Sequence, residues 1–493
     1  MRLAYDVAAV YAAEASLMKQ VPSEQLMAVA AQGVAATVVD ALRGVGRIAG
    51  TPVVLIVGSG NNGGDALFAG ALLARRGLSV KAITVSDTFH DAGAQALLAA
   101  GGRLLGVAEG MAAMGDAAVV IDGIVGIGAR GPLRPEAATV VQAIPAGAAV
   151  FAVDLPSGVD PDTGAIATPC VRADVTVTFG TWKPGQFLPP GRDHCGIVEK
   201  IDIGLDPHLA SLSPAFQVMT LADAAAFYEA PRETSYKYNH GVPGVCAGSP
   251  EYPGAPHMVV GAARHAGVGM VRLWQDAAPQ VAASVVERFP DVVCTGGPLA
   301  QDPKATAWII GPGLGTGPEQ ADLVAEALAT ELPVVIDADA LTLVAHHTPL
   351  RYAIVARSAP TALTPHVAEF ARLGFDEGDD RVAAARQAAA ELKAIMVLKG
   401  AGTVIAGPDG TPFVDTVGPA ALATAGTGDA LSGLIGAALS QDHDDPVAAV
   451  AAAVVVHGLA ARVASRDDQP ITAWDLVEAV PAAVGEVRRL TPP

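Results

Sequence analysis

Two successive α/β domains are predicted from three features of the chain: β-branched runs that alternate with Ala-rich helical windows, Gly- and Asp-bearing loops after those runs, and one interruption of the pattern. The interruption, between Leu205 and Asn239, divides the chain into domains 1–212 and 213–493. The opening segment 1–19 carries Asp6 and Glu14 within an apolar pattern, which reads as an amphipathic helix and not as a secretory leader. Residues 53–57 form a continuous apolar run that enters a Gly-rich loop and then a helical window over 65–76, as a buried parallel strand entering a crossover does. Further strands are expected at 80–85, 118–121, 150–153 and 175–179, with a helix at 92–100, which gives a doubly wound sheet. Ligands of such a sheet lie at the carboxyl ends of the strands. After one short helical piece at 221–229, the second series places strands at 244–247, 268–273, 307–310, 334–336, 395–398 and 404–406.

Composition narrows the function. With 493 residues, 51% of them hydrophobic, the chain can bury two cores without staples. A formal charge of −19 argues against a nucleic-acid or anionic-membrane partner, whereas a small anion can be held by local N–H groups and a few cations. Cys170, Cys195, Cys246 and Cys294 form no Cys-x-x-Cys pair, so reduced thiols and a cytoplasmic location are expected. The longest apolar stretch, 447–456, stops at His457-Gly458, too short to span a bilayer and better read as a buried helix. An Ala-rich exposed helix face would permit assembly, and a homo-oligomer is expected.

Chemistry concentrates in the loops. Gly426-Thr427-Gly428-Asp429 opens an apolar helix, which sets free N–H groups and one carboxylate together at a positive helix end. An ordinary turn with an acidic first-turn residue would look the same. Lys399-Gly400-Ala401-Gly402-Thr403, between two apolar runs, adds a second flexible turn with a cation, and the two loops together favour a nucleotide site. Gly311 to Gly315, Asp337-Ala338-Asp339 and Thr364-Pro365-His366 each follow a strand. In the first domain, Gly58, Gly60, Gly63 and Gly64 allow close ligand approach around Asn61 and Asn62, ahead of Asp65. The carboxylates Asp122 and Asp154 end two strands; Asn62, Asp122 and Ser157 supply hard oxygens for a monovalent cation, and Asp154 remains for proton abstraction. Either carboxylate could instead cap a helix or satisfy loop amides. Lys183 could bring a cation to this pocket or remain a solvated loop residue.

In their order along the chain these motifs resemble a known pair. The first domain is similar to the NAD(P)H-hydrate epimerases through Gly60-Asn61-Asn62-Gly63-Gly64-Asp65, the run 122–128, Asp154-Leu155-Pro156-Ser157-Gly158 and Lys183-Pro184-Gly185. The second resembles the ADP/ATP-dependent NAD(P)H-hydrate dehydratases through Gly254-Ala255 and the loops at 311–315, 337–341, 364–366, 399–403 and 426–429. The resemblance implies a Rossmann-like domain followed by a ribokinase-like one. It implies epimerase contacts from Asn61, Asn62, Gly63, Gly64, Asp65, Gly126, Ile127, Gly128, Ala129, Arg130, Gly131, Pro132 and Asp154, with K+ at Asn62, Asp122 and Ser157. In the dehydratase it implies Ala255, Gly313, Gly315, His366 and Asp429 at the hydrate, and Lys399, Gly400, Ala401, Gly402, Thr403 and Gly428 at ADP or ATP with Mg2+. Ala66, Tyr236 and Tyr238, Thr342 and Ala368 depart from the family pattern.

The implied chemistry is repair of NADH and NADPH hydrated at C6 of the nicotinamide ring. Asp429 would take the hydroxyl proton while the 426–428 amides stabilise the transferred phosphoryl, and phosphate elimination would then restore the double bond. The first domain would interconvert R and S hydrates, with Asp154 or Asp122 handling the proton. The alternative is a ribokinase-like small-molecule kinase that stops at the phosphate ester, joined to a non-catalytic ligand-binding module. No residue distinguishes ADP from ATP as donor, or NADH hydrate from NADPH hydrate as substrate.

Overall fold

The computed structural model describes residues 1–490 except positions 45, 47, 48 and 277, so the last three residues of the expected second domain lie outside the described residues. Two compact units emerge, residues 3–215 and residues 216–493 with Met1 and Arg2. After a short strand β1 (Arg2–Ala4), the first unit builds its sheet from β2 (Pro52–Val57), β3 (Ser79–Thr84), β4 (Arg103–Gly106), β5 (Val119–Gly123), β6 (Ala149–Val153), β7 (Val175–Phe179) and β8 (Ile197–Ile201). The order is β4-β3-β2-β5-β6-β7-β8, and all neighbouring pairs are parallel. Chain order reverses between β2 and β5, which opens a crevice at their carboxyl ends. Helices cover both faces of β2. Val53, Leu55 and Val57 pack with Val34, Ala69 and Leu73, whereas Val54 and Ile56 pack with Met114 and Val140.

The helix after β2 spans Asn61–Arg75, four residues earlier than the sequence pattern indicated. Paired glycines are poor helix formers, but packing overrides that preference here. A Cβ on Gly63 would lie 2.4 Å from the Gly58 carbonyl oxygen, and one on Gly123 would lie 2.5 Å from the Ala66 methyl, so bare backbone lets the helix press against the strand ends. Strand β4 is only four residues long, and β8 is interrupted by the adjacent pair Glu199-Lys200; neither gave a continuous apolar signal.

The second unit contains β9 (Phe216–Val218), β10 (Pro243–Cys246), β11 (Arg272–Trp274), β12 (Val293–Thr295), β13 (Ala307–Ile310), β14 (Val334–Ile336), β15 (Thr361–Leu363), β16 (Ile395–Leu398), β17 (Val404–Ala406) and β18 (Phe413–Val414). They run β9-β18-β17-β16-β15-β14-β13-β10-β11-β12, with β17 antiparallel to both of its neighbours. Strands β10 and β13 to β16 are parallel, so the loops after them emerge at one edge. The segment around Tyr236 and Tyr238 precedes β10 and lies at the opposite edge, where the Tyr238 hydroxyl accepts from Lys304 Nζ at 2.8 Å. The expected strand at 268–273 is confined to β11.

The apolar stretch at 447–456 belongs to a longer helix, Pro446–Ala464, which continues through His457-Gly458. His457 is buried, donating from Nε2 to the Thr427 carbonyl at 2.9 Å; burial pushes its pKa down to about 4, which keeps the ring neutral. A polar residue is therefore compatible with the core. This helix and Ser23–Gly44 are long and apolar enough to cross a membrane, but 78% of the first one's most apolar window is buried inside the protein.

Gly58 provides a test of the packing that shapes the crevice. A Cβ there would sit 1.9 Å from the Ile124 carbonyl oxygen, so Gly58→Ala should destabilise the first unit by about 2 kcal/mol. Urea unfolding followed by hydrogen exchange in β2 and β5 measures this, and an unchanged midpoint would contradict it.

Candidate active sites

In the first unit, the crevice holds a cavity of about 380 Å³, lined by Asn61, Asn62, Asp65, residues 124–129, Asp154, Phe179 and, from the N-terminal helix, Tyr11 and Glu14. Asp154 follows β6 in a left-handed conformation, φ 66°, which asparagine and aspartate tolerate better than most residues. Its backbone carbonyl accepts from Gln186 Nε2 at 2.9 Å, and three further contacts hold it. Its N–H donates to the Val177 carbonyl at 2.7 Å, and its Oδ1 accepts from Lys183 Nζ at 2.6 Å and from Thr178 Oγ1 at 3.0 Å. Lys183 is itself buried, and its ammonium also donates to Thr178 Oγ1 at 2.8 Å and the Phe179 carbonyl at 3.1 Å. The cation that the sequence left between pocket and solvent is thus a clamp on Asp154.

Two further carboxyls face this pair. Asp65 Oδ1 is buried without a hydrogen-bond partner, and burial, reinforced by Asp154 and Glu14, raises its pKa well above the usual carboxylate range. Burial also raises Glu14, with Lys183 opposing and Asp154 adding to the shift. Nothing in the sequence placed Tyr11 or Glu14 at the site, although the acid inside the apolar helix pattern was a signal. Asp65 and Glu14 also border a second, more apolar cavity of about 320 Å³, walled by Met18, Leu26, Met27 and Phe68.

Asp122 is fully buried and does not line the cavity. It accepts from Ser157 N–H at 2.7 Å, Ser157 Oγ at 2.7 Å and Ile124 N–H at 3.2 Å, all neutral donors, and burial raises its pKa to about 6. Asn62 Nδ2 donates to the Val125 carbonyl at 3.0 Å, and Val125 N–H donates to Ser157 Oγ at 3.2 Å. Asn62, Asp122 and Ser157 are thus joined through Val125 in one hydrogen-bonded group. Other expected contacts fall elsewhere. Gly63 and Gly64 are buried in the helix against Gly58 and the His90 ring. Arg130, Gly131 and Pro132 are exposed and outside the lining, and Arg130 pairs with Asp160 at 2.7 Å and with Asp162.

In the second unit the centre is a buried ion pair. Asp337, at the end of β14, accepts from Lys399 Nζ at 2.9 Å and from Ser432 Oγ at 2.7 Å. Burial pushes its pKa up, but Lys399 together with the hydrogen bonds from Ser432, Lys399 and Thr364 outweighs that and leaves it below the ordinary value. Lys399 begins the β16–β17 turn and also lies 3.8 Å from Glu369 Oε2. A Cβ on Gly428 would come within 3.4 Å of Lys399 Nζ, so the ammonium sits at the mouth of the helix Thr427–Leu439. Asp429 occupies the first turn of that helix; burial first, then Asp337, raises its pKa to about 7 despite Lys399.

The remaining loops join this centre. Gly315 N–H donates to Asp339 Oδ2 at 2.8 Å, and a Cβ on Gly313 would meet Tyr252 at 2.7 Å and Ala255 at 3.0 Å. His366 caps the helix Val367–Arg372, accepting at Nδ1 from the N–H groups of Ala368 and Glu369, which leaves Nε2 to carry the proton in the neutral ring. Arg381 donates to the carbonyls of Ala401 and Lys399, which fixes the turn from Lys399 through Gly400, Ala401 and Gly402 to Thr403. Ser432, Glu369 and Arg381 carried no sequence signal, because the groups they bind, Asp337, Lys399 and the 399–401 turn, lie 95, 30 and about 20 residues away.

Two family models match the chain: one described as YjeF-related protein N-terminus over residues 23–185, and one described as NAD(P)H-hydrate dehydratase over residues 244–482. The bifunctional NAD(P)H-hydrate repair enzyme Nnr of Mycobacterium leprae is 43% identical over 476 residues, covering 95% of this chain and 96% of that one. Its counterpart in Mycobacterium tuberculosis is 45% identical over 445 residues, 89% of each chain. The solved ADP/ATP-dependent NAD(P)H-hydrate dehydratase from Bacillus subtilis, co-crystallised with ATP and Mg2+, aligns with a TM-score of 0.49 and 29% identity over 55% of this chain and 99% of that one.

The Asp337–Lys399 pair makes a stability prediction with a defined sign. Asp337 has a lowered pKa, so its contribution is present above the ordinary carboxylate range and is lost as pH falls. Lys399→Met leaves a buried, uncompensated carboxylate and should cost about 3 kcal/mol at pH 7, shrinking as acid protonates Asp337. Denaturant midpoints across pH check this; an equal loss at acid and neutral pH would contradict it.

Proposed function

The chain belongs to the family of bifunctional NAD(P)H-hydrate repair enzymes, and from that premise we propose which groups carry each half of the repair. The enzyme interconverts the R and S hydrates of NADH and NADPH at C6 and dehydrates the S hydrate with consumption of a nucleotide.

In the dehydratase half, Asp429 is the base that takes the C6 hydroxyl proton. The observation that carries this assignment is its place in the first turn of an N–H-bearing helix end beside the Lys399 ammonium, with a pKa of about 7. A base is most useful when its pKa lies near the working pH. The amides at Gly426 and Gly428 and the Lys399 ammonium face the phosphoryl of ADP or ATP, while the Thr427 N–H donates to the Thr424 carbonyl, and Gly400, Ala401, Gly402 and Thr403 lie along the nucleotide. Ala255, Gly313, Gly315 and His366 position the hydrate. Phosphate is a better leaving group than hydroxide, and the ring nitrogen's lone pair drives it out. Mg2+ would arrive on the nucleotide's phosphates and neutralise charge on the transferred group.

In the epimerase half, Asp154 is favoured over Asp122 as the carboxylate that handles the proton, since Asp154 lines the cavity and Asp122 lies behind it. Asn62, Asp122 and Ser157 hold K+, which supplies a fixed positive charge for the buried Asp122. The reaction belongs where NAD(P)H is used, and we place it in the cytoplasm, with the four thiols free.

Three outcomes test these roles. Asp429→Asn should lower dehydration of the S hydrate by about 10²–10⁴-fold while epimer exchange continues. In the unaltered enzyme, kcat/KM for dehydration should rise with pH through one deprotonation near 7 and level off above it; a flat profile would contradict the base role. Potassium should raise the unfolding midpoint of the first unit, and Asp122→Asn should remove that increment. Equal stabilisation of both proteins by potassium would overturn the cation assignment.

A further inference from the structure

The apolar helix Pro446–Ala464 buries a single polar side chain. Every other buried residue along it is alanine, valine, leucine or glycine, so the His457 imidazole is tolerated there only if it is hydrogen-bonded. Its partner is the Thr427 carbonyl, 2.9 Å from Nε2. A carbonyl only accepts, so Nε2 carries the proton, and burial keeps the ring neutral. His457 thus brings a donor to the 426–428 loop without bringing charge.

The helix that carries His457 is itself held in register. A Cβ on Gly458 would lie 2.7 Å from the Gly418 nitrogen, so bare backbone lets the helix touch the 415–418 loop, and Arg462 donates to the Val417 carbonyl. Asp415 fixes that loop from within, accepting from the N–H groups of Val417 at 3.0 Å and Gly418 at 2.9 Å. In the 426–428 loop, Gly426 is left-handed at φ 88°, and Thr427 is the residue with a side chain between two glycines. Thr427 Oγ1 donates towards the Leu422 carbonyl at 2.9 Å and the Thr424 carbonyl at 2.8 Å, while its own carbonyl meets His457. The loop is anchored from both sides.

What the imidazole controls follows from the planarity of the peptide. In a trans peptide, the carbonyl of one residue and the N–H of the next point in opposite directions within one rigid plane. The carbonyl that His457 holds therefore shares its plane with the Gly428 N–H, a first-turn donor for which the helix has no acceptor. Gly428 is also the residue whose Cβ would come within 3.4 Å of Lys399 Nζ. We infer that His457 is a positioning residue for the dehydratase, aiming the Gly428 N–H at the transferred phosphoryl by fixing the opposite end of its peptide. A hydrogen bond at the carbonyl also polarises the amide and strengthens its N–H as a donor. The inference rests on the reading that Gly428 faces the phosphoryl, and adds how that amide is aimed.

The test uses the full-length protein with pure S hydrate of NADH, ATP and Mg2+. As the first residue of its helix, Thr427 keeps its carbonyl in the helix ladder without the imidazole, so His457→Leu removes the donor without orphaning the acceptor. His457→Leu should lower kcat by at least about 10-fold and leave KM for the hydrate and for ATP within about threefold, because the amide acts on the transition state. His457→Gln carries an N–H as far out as Nε2 and should keep kcat within about threefold of the unaltered enzyme, whereas His457→Asn stops one bond short and should match His457→Leu. The last two bury the same amide group, so a merely structural role would affect them alike. Unaltered kcat in His457→Leu, or equal losses in His457→Gln and His457→Asn, would overturn the role of His457. Should His457→Leu fail to fold, the comparison of His457→Gln with His457→Asn decides. Dehydration at the unaltered rate by Asp429→Asn would instead overturn the placement of phosphoryl transfer at this helix end.

Discussion

A carboxylate removed from water must be matched by a cation, by hydrogen bonds or by a proton, and both active sites are organised by how that requirement is met. In each unit, a lysine from a loop that follows a strand clamps one aspartate at the end of another strand: Lys183 on Asp154, and Lys399 on Asp337. A neighbouring carboxyl is left without such a clamp and holds its proton more tightly, Asp65 in one case and Asp429 in the other. In the second unit, splitting the acids in this way yields one group held as an anion, Asp337, and one able to exchange a proton near neutral pH, Asp429. The sheets exist, in functional terms, to bring these loops together.

The two arrangements differ in what surrounds the unclamped acid. Asp429 lies at a helix N-terminus with a lysine ammonium alongside, an environment that favours incoming phosphate. Asp65 lies inside its helix, with its pKa raised by burial, Asp154 and Glu14. The second unit carries the nucleotide-dependent dehydration and the first the epimerisation. A small-molecule kinase that stops at a phosphate ester would need the first environment alone, and the family to which the chain belongs carries both.

Much of this was legible in the sequence, because local signals report local structure. Strands β7, β13, β14, β16 and β17 occur at the positions read from their apolar runs, and the loops after β13, β14, β15 and β16 emerge at one edge, as parallel strands require. The misses have physical causes. Asn61 to Asp65 read as a loop since glycine and asparagine disfavour helix, and only tertiary packing against Gly58 and Gly123 makes them helical. Tyr11 and Glu14 reach their site across long sequence separations, which no motif window spans, whereas Thr178, Ser432 and Glu369 stand within five residues of Lys183, Asp429 and His366 and were missed because strand or helix positions beside a loop carry no chemical signal of their own. Asp122 and Asp154 were indistinguishable as strand-end carboxylates; burial alone separates them, one behind the cavity wall and one facing in.

The central claim is that two clefts on one chain act in sequence on the same damaged ring. The most direct measurement supplies pure R hydrate of NADH with ADP or ATP, Mg2+ and potassium, and follows NADH, phosphate and any intermediate by absorbance and chromatography. The account predicts complete conversion of R hydrate to NADH with one phosphate released per ring restored. Accumulation of a stable phosphorylated hydrate, or R hydrate left unconsumed, would contradict it.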